Sequence, residues 1–279
     1  MNLHSADSRE INEAVRQVLS AGSSAVLVTV IRVPETVSVG WRIGSKLLLT
    51  DSGKTIGSLG SAALDEAVTS RARDFVASRD EASTISLEEF APATVELRGA
   101  RLLFERIESE PRLIIAGAGH VGAALARLAA LVGYRVTLID DRGDFVKREL
   151  FSSEREQNIE LIAGEDWTRA LRQAIANGRG VSVAIVTRGH KQDEECLRAA
   201  IAAQPDYVGM IGSKRRTNIV LEKLREEGAN EVDLKKVRAP IGLDIGAVSP
   251  EEVALAILAE IVSERRNGSG APLSSWRRP

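Results

Sequence analysis

The spacing of apolar residues changes along the chain in a way that maps its elements. Ile11, Val15, Val18 and Leu19 recur at helical intervals, with Asp7 or Ser8 placed to cap the helix and Gly22 to stop it. The run from Ser24 to Val33, SAVLVTVIRV, is dominated by β-branched residues and predicts a buried strand. Lys46 to Thr50 and Thr55 to Leu59 flank Asp51-Ser52-Gly53-Lys54, the pattern of a hairpin. A helix from Ser61 to Ser78 and two strands, Thr94 to Arg98 and Arg101 to Ile107, complete a small α+β domain over 1–109. Glu108-Ser109-Glu110-Pro111 reads as its linker, polar and ended by a proline that resists helix.

Beyond the linker, strand and helix periods alternate. Strands are expected at Leu113 to Ala116, Val136 to Ile139, Glu160 to Ala163, Ser182 to Thr187, Asp206 to Ile211 and Val237 to Pro240. Helices are expected from the glycine turn to Gly133, then at Trp167 to Ala176, Asp193 to Ala203, Ser213 to Glu227 and Pro250 to Arg265. Such alternation demands a parallel sheet, so the fold class is α/β: a Rossmann-like doubly wound sheet over 110–267 beside the smaller α+β domain. Residues 268–279, rich in Gly, Ser and Pro, read as a disordered tail.

The most informative stretch is LIIAGAGHVGAALARLAALVGYRVTLIDDR, Leu113 to Arg142. Gly117 would turn the chain sharply off the strand, Gly119 would let backbone approach a pyrophosphate, and Gly122 would let the helix pack on the strand. His120, inside the turn, reads as a helix-start residue. The helix offers unpaired N–H groups and the positive end of its dipole to phosphate. Asp140 ends the next strand, where a carboxylate can accept from a ribose hydroxyl, and Asp141 beside it would repel an extra ribose phosphate, an effect Arg142 offsets in part.

In open α/β sheets ligands collect beyond the carboxyl ends of strands, which singles out two further segments. Thr187-Arg188-Gly189-His190-Lys191-Gln192-Asp193 crowds polar groups after one strand, and His190 can titrate near neutral pH. Its plainer reading is a polar loop in which Asp193 caps the next helix. After the following strand come Gly212, Ser213, Lys214, Arg215 and Arg216. Cations ordinarily favour the opposite end of a helix, so three of them in its first turn suggest an anion that offsets them, the plainer reading being a solvated basic face.

Composition narrows the classes. The chain has 279 residues, 44% hydrophobic and 27% charged, with a net charge of -2 and a pI near 6.1. No basic field recommends nucleic acid or an anionic membrane as partner. One cysteine, Cys196, excludes an intramolecular disulfide framework and a multi-cysteine metal cluster within one chain, and two neighbouring glutamates should raise its pKa. No metal site and no catalytic proton relay are expected. The first residues lack an apolar signal core and no run approaches a membrane span, so a cytoplasmic location is expected. The residues alone leave a nucleotide-binding regulator and an NAD(P)-dependent oxidoreductase open.

Four segments resemble the xanthine dehydrogenase accessory (XdhC/CoxI) family: the glycine unit, TRGHKQDEECLRAAI, YVGMIGSKRRTN and APIGLDIGAVSPEEVALAILAEIV. The resemblance spans roughly Pro111 to Asn267 and is fainter over the first domain, at SAVLVTVIRV and GSLGSAALDEAV. It implies a protein that is not itself a conventional enzyme. It would receive molybdenum cofactor, as molybdopterin or its dinucleotide form, and assist its sulfuration and insertion into a xanthine dehydrogenase-type hydroxylase. The implied partners are that apo-enzyme and a cysteine desulfurase, with a second copy of the chain as a further expectation. Gly119 to Gly122 and Ser213 to Arg216 would hold phosphate, with Gly242 and Asp244 shaping the same cleft. One departure stands out: where the family has a glycine-glycine-cysteine-acid turn, this chain has Gly57-Ser58-Leu59-Gly60-Ser61-Ala62-Ala63, without the thiol.

Overall fold

In the first unit, strand β1 (Ser24–Arg32) alternates its side chains between two apolar layers, and the rest of the unit is arranged to cover both. The computed structural model describes residues 3–34, 42–77, 80–91, 99–176 and 180–274. The chain divides into two compact units, Met1–Ser109 and Glu110–Pro279.

β1 is the centre of an antiparallel sheet with β2 (Lys46–Thr50), β3 (Thr55–Ser58), β4 (Ala82–Ser86) and β5 (Arg101–Glu108), in the order β3-β2-β1-β5-β4. Val26, Val28 and Val30 meet Leu64, Val68, Ala72 and Phe75 of helix α2 (Ala62–Ala77). Ala25 and Leu48 meet Ala14 and Val18 of helix α1 (Leu3–Ala21) on the opposite face. Helix α1 starts earlier than the expected Asp7 or Ser8, and Gly22 ends it at φ +65°. The expected strand at Thr94 to Arg98 lies outside the described residues. The strand that sequence does not anticipate, β4, is short and mostly polar, so it carries almost no alternating apolar signal.

The turn that lacks the family thiol is closed by a carboxylate. Asp65 accepts from the Ser58 hydroxyl and the Leu59 N–H, each at 2.7 Å.

The second unit holds a five-stranded parallel sheet: β6 (Arg112–Ala116), β7 (Arg135–Asp140), β8 (Glu160–Ala163), β9 (Val181–Ile185) and β10 (Tyr207–Met210). Its order, β10-β9-β6-β7-β8, reverses at the β6/β9 boundary and leaves a crevice beyond their carboxyl ends. The inner strands are buried on both faces, which is why LIIA reads as a continuous apolar run and VSVAI is broken only by Ser182. One face is covered by α3 (His120–Leu131) and α8 (Pro250–Arg265). The other carries α4 (Trp167–Ile175), α5 (His190–Ala203), α6 (Lys214–Glu226) and α7 (Glu231–Lys236).

Three expectations change here. The strand expected at Val237 to Pro240 is a single parallel bridge, Gly209 to Arg238, because Pro240 has no N–H to extend it. Helix α7 is not anticipated by sequence, since six residues are too few to show a period. Helix α5 begins at His190, not Asp193, with Gly189 in the capping position. The tail expected from Gly268 starts with Gly268 hydrogen-bonded to Ser263, and its last five residues lie outside the described ones. Among the described residues no helix is long and apolar enough to cross a membrane.

Helix α3 sits so close to the β6 turn that a Cβ on Gly122 would lie 1.8 Å from the Gly117 carbonyl oxygen. Gly122→Ala should therefore lower unfolding free energy by about 3 kcal/mol or more, read by chemical denaturation. An alanine variant as stable as the parent would refute this close packing.

Candidate functional site

The glycine turn has the geometry its spacing predicts. Gly117 adopts φ +110°, and a Cβ there would stand 2.6 Å from the Val186 carbonyl oxygen, so side chains are excluded twice over. Gly119 differs: no atom lies within 4 Å of where its Cβ would be. Packing does not demand a glycine at this position, and the backbone faces open space at the start of α3. Gly119 caps α3 without a side chain, which leaves the first-turn N–H groups for an outside acceptor. His120 is the first helical residue and is exposed.

At the end of β7 two adjacent carboxylates have different fates. Asp140 is 1% exposed. It accepts from Ala118 N–H at 2.7 Å, Arg142 N–H at 2.9 Å, and the Arg142 guanidinium at 2.8 and 3.0 Å. Burial pushes its pKa up, but the Arg142 guanidinium and the two backbone N–H groups outweigh this and hold it below the usual carboxylate range. The ribose-accepting role expected of Asp140 thus meets a carboxylate already engaged by four donors. Asp141 is more open, with 24% side-chain exposure between Arg142 and Arg188.

Beyond β9, Thr187 is buried and its hydroxyl donates to Asp193, which is 0% exposed. Arg216 reaches the other oxygen of Asp193 through Nε at 2.8 Å and also through Nη2. This corrects one expectation, since Asp193 does not cap its helix, and it shows that the charge of Arg216 is met by Asp193 within the protein. His190 and Lys191 are exposed on the first turn of α5.

Beyond β10, Gly212 at φ +153° leads into Ser213, whose hydroxyl accepts from Arg216 N–H as N-cap of α6. Lys214 and Arg215 are exposed, and neither side chain has a hydrogen-bond or ion-pair partner among the described residues. Gly242 packs on α8 and donates its N–H to Glu260 at 2.8 Å; Asp244 is exposed. Cys196 is buried, and desolvation followed by Asp193, Glu195 and Asp141 drives its thiol pKa far up, so it is inert.

The turns after β6, β7, β9 and β10 leave the carboxyl ends of parallel strands and share one rim. A cleft opens at the sheet's switch point, lined by Gly117, Gly119, Asp140, Asp141 and Thr187 of the expected residues. Arg142, Trp167, Val186, Arg188 and Gln192 line it as well. His120, Gly122, His190, Gly212 to Arg216, Gly242 and Asp244 do not. Trp167 gives no advance signal because the three tryptophans are dispersed in sequence. Among the described residues no cluster of three or more His, Cys, Asp or Glu is placed to hold a metal.

Fold and cleft define a protein with a Rossmann-type ligand face. Residues 113–261 match the XdhC Rossmann domain and residues 18–90 match the XdhC and CoxI family. The chain belongs to the XdhC/CoxI family. It is 28% identical over 184 residues to a probable xanthine dehydrogenase subunit of Bacillus subtilis, covering 66% of this chain and 50% of that protein. It is 29% identical over 156 residues to the molybdenum cofactor insertion chaperone PaoD of Escherichia coli, covering 55% and 40%. An uncharacterized E. coli protein, YqeB, is 28% identical over 244 residues, covering 82% and 42%. The chain thus spans half or less of the length of these relatives. A solved xanthine dehydrogenase structure from Bacillus halodurans shares the fold at TM-score 0.61 and 22% identity, covering 96% of this chain and 70% of that one.

Because the folded Asp140 carboxyl titrates below its ordinary range, its stabilisation is complete above about pH 4 and is lost as pH falls further. Asp140→Ala should cost about 3 kcal/mol at pH 7. The gap from the parent should narrow in denaturation curves recorded below about pH 4; a gap independent of pH would rule out the ionised pair. Arg216→Ala, which strands the buried Asp193, should likewise lower stability by about 3 kcal/mol, and an unaltered melting curve would contradict that role.

Proposed function

We propose that this chain is an accessory factor that binds molybdenum cofactor as cargo and assists its insertion into a xanthine dehydrogenase-type hydroxylase. The reading is supported by family membership and by the names of two relatives, one a molybdenum cofactor insertion chaperone and one a probable dehydrogenase subunit. The observation that carries it is a pair of unpartnered cations, Lys214 and Arg215, beside the Ser213 cap on the ligand rim. A phosphate-bearing pterin fits that donor set, because cations and free helix N–H groups favour an anion.

In this scheme the second unit holds the cofactor's anionic groups while a cysteine desulfurase supplies its sulfido ligand. The chain does not carry that sulfur on its own thiol, since Cys196 is buried with a raised pKa. Lys214 and Arg215 bind phosphate, whereas Arg216 acts through the fold by neutralising Asp193. The oxidoreductase alternative is less well supported: His190, the one candidate proton donor after β9, does not line the cleft.

The double variant Lys214→Ala/Arg215→Ala should bind purified molybdenum cofactor about tenfold or more weakly while melting like the parent. It should also slow reconstitution of an apo molybdenum hydroxylase. Undiminished cofactor binding by the double variant would remove this reading of the basic turn.

A further inference from the structure

The switch-point cleft holds a donor that the fold buries and then leaves unused. Trp167 opens α4, where Asp166 caps the first turn, and it belongs to the apolar cluster of Ile139, Ala170 and Leu171, only 4% exposed. A core tryptophan usually finds a partner for its indole N–H. This one donates to no described residue, yet its nitrogen is not among the side-chain atoms sealed away without a partner. The small part of Trp167 that stays open therefore includes Nε1, and it opens on the cleft that the residue lines.

Gln192 supplies a second free donor. It lines the same cleft, and its amide has no hydrogen-bond partner among the described residues. A glycine makes room for it: the amide oxygen lies 2.2 Å from where a Cβ on Gly189 would stand. The amide nitrogen is the more distant end, at 3.8 Å, so the NH2 group is turned away from Gly189.

Charge decides what these two donors serve. The carboxylates of Asp140 and Asp141 are matched by Arg142 and Arg188, so side-chain charge alone draws no further anion to this part of the cleft. A neutral carbonyl oxygen has two lone pairs and takes both N–H groups. An amino group in its place accepts neither and leaves both donors unpaired. Trp167 makes the choice one-sided, because an indole offers only N–H whereas a glutamine amide can turn over. The Arg142 guanidinium, held by Asp140 and stacked 3.7 Å from the Phe145 ring centroid, adds a fixed flat cation to the wall, which suits a planar ring.

We infer that the cleft selects a heteroaromatic ring by its exocyclic oxygen, with Trp167 Nε1 and Gln192 Nε2 donating to that atom. The inference rests on the proposed function only in taking this rim as the ligand face. A pterin ring and an oxopurine base share this chemistry. Their amino counterparts are disfavoured because they leave protein N–H groups unpaired.

Calorimetric titration of the full chain tests it with phosphate-free probes in pairs: pterin against 2,4-diaminopteridine, and inosine against adenosine. The oxo member of at least one pair should bind about tenfold more tightly than its amino partner. Preference within the pteridines assigns the cleft to a pterin ring, and preference within the nucleosides alone assigns it to an oxopurine base. Trp167→Phe keeps an aromatic ring but loses the donor, and Gln192→Glu puts an acceptor where the donor stood. Each should shrink the oxo preference to about threefold or less. Equal affinity within both pairs, tighter binding of the amino members, no binding of any probe, or an oxo preference that survives either substitution overturns the inference. Because the probes carry no phosphate, the Lys214→Ala/Arg215→Ala variant should bind them like the parent. Failure here leaves the test of the basic turn standing, and failure there leaves the oxo preference intact.

Discussion

The ligand face depends on one buried carboxylate. Asp140 ties the N–H of Ala118, inside the glycine turn, to the backbone and guanidinium of Arg142 on the neighbouring connection. The first two connections beyond the sheet are thereby held at a fixed separation, and the turn cannot relax away from β7. A bidentate arginine is what makes such burial tolerable, because an ionised carboxylate without donors would neutralise or force the site open. Arg142 is itself immobilised in the exchange, so a flexible side chain becomes part of a rigid wall.

This arrangement explains why the sequence is legible for the frame and less so for the site. Gly117, Gly119 and Gly122 declare themselves by spacing; Gly117 and Gly122 answer close approaches to Val186 and Gly117, whereas packing makes no such demand at Gly119. The parallel strands declare themselves by nearly unbroken apolar runs. The acid after the second strand is legible as a position, but its partners are not. Whether Asp140 or Asp141 keeps free acceptor capacity depends on which one Ala118 and Arg142 claim, and a string of letters does not show that.

The basic turn meets the same limit. Three cations at the start of a helix imply an opposing anion, and that inference is sound as electrostatics. One part of the anion is Asp193, on the preceding helix, a partner separated in sequence by a strand and a loop. Sequence assigns Asp193 a local job, capping, because local jobs are what sequence displays. Its burial can be read only from a sheet that brings α5 and α6 side by side.

Geometry also limits what one guest can do. Strands β6 and β10 are separated by β9, and neighbouring strands lie about 4.8 Å apart, which puts the strand ends that lead to the Gly119 and Ser213 turns about 10 Å from one another. One phosphate cannot bridge that span. Thr187 and Arg216 share Asp193, so the rim between the turns is stiff and does not bring them closer. A guest that touches both turns must therefore extend well beyond one phosphate group, and a shorter one would use a single turn.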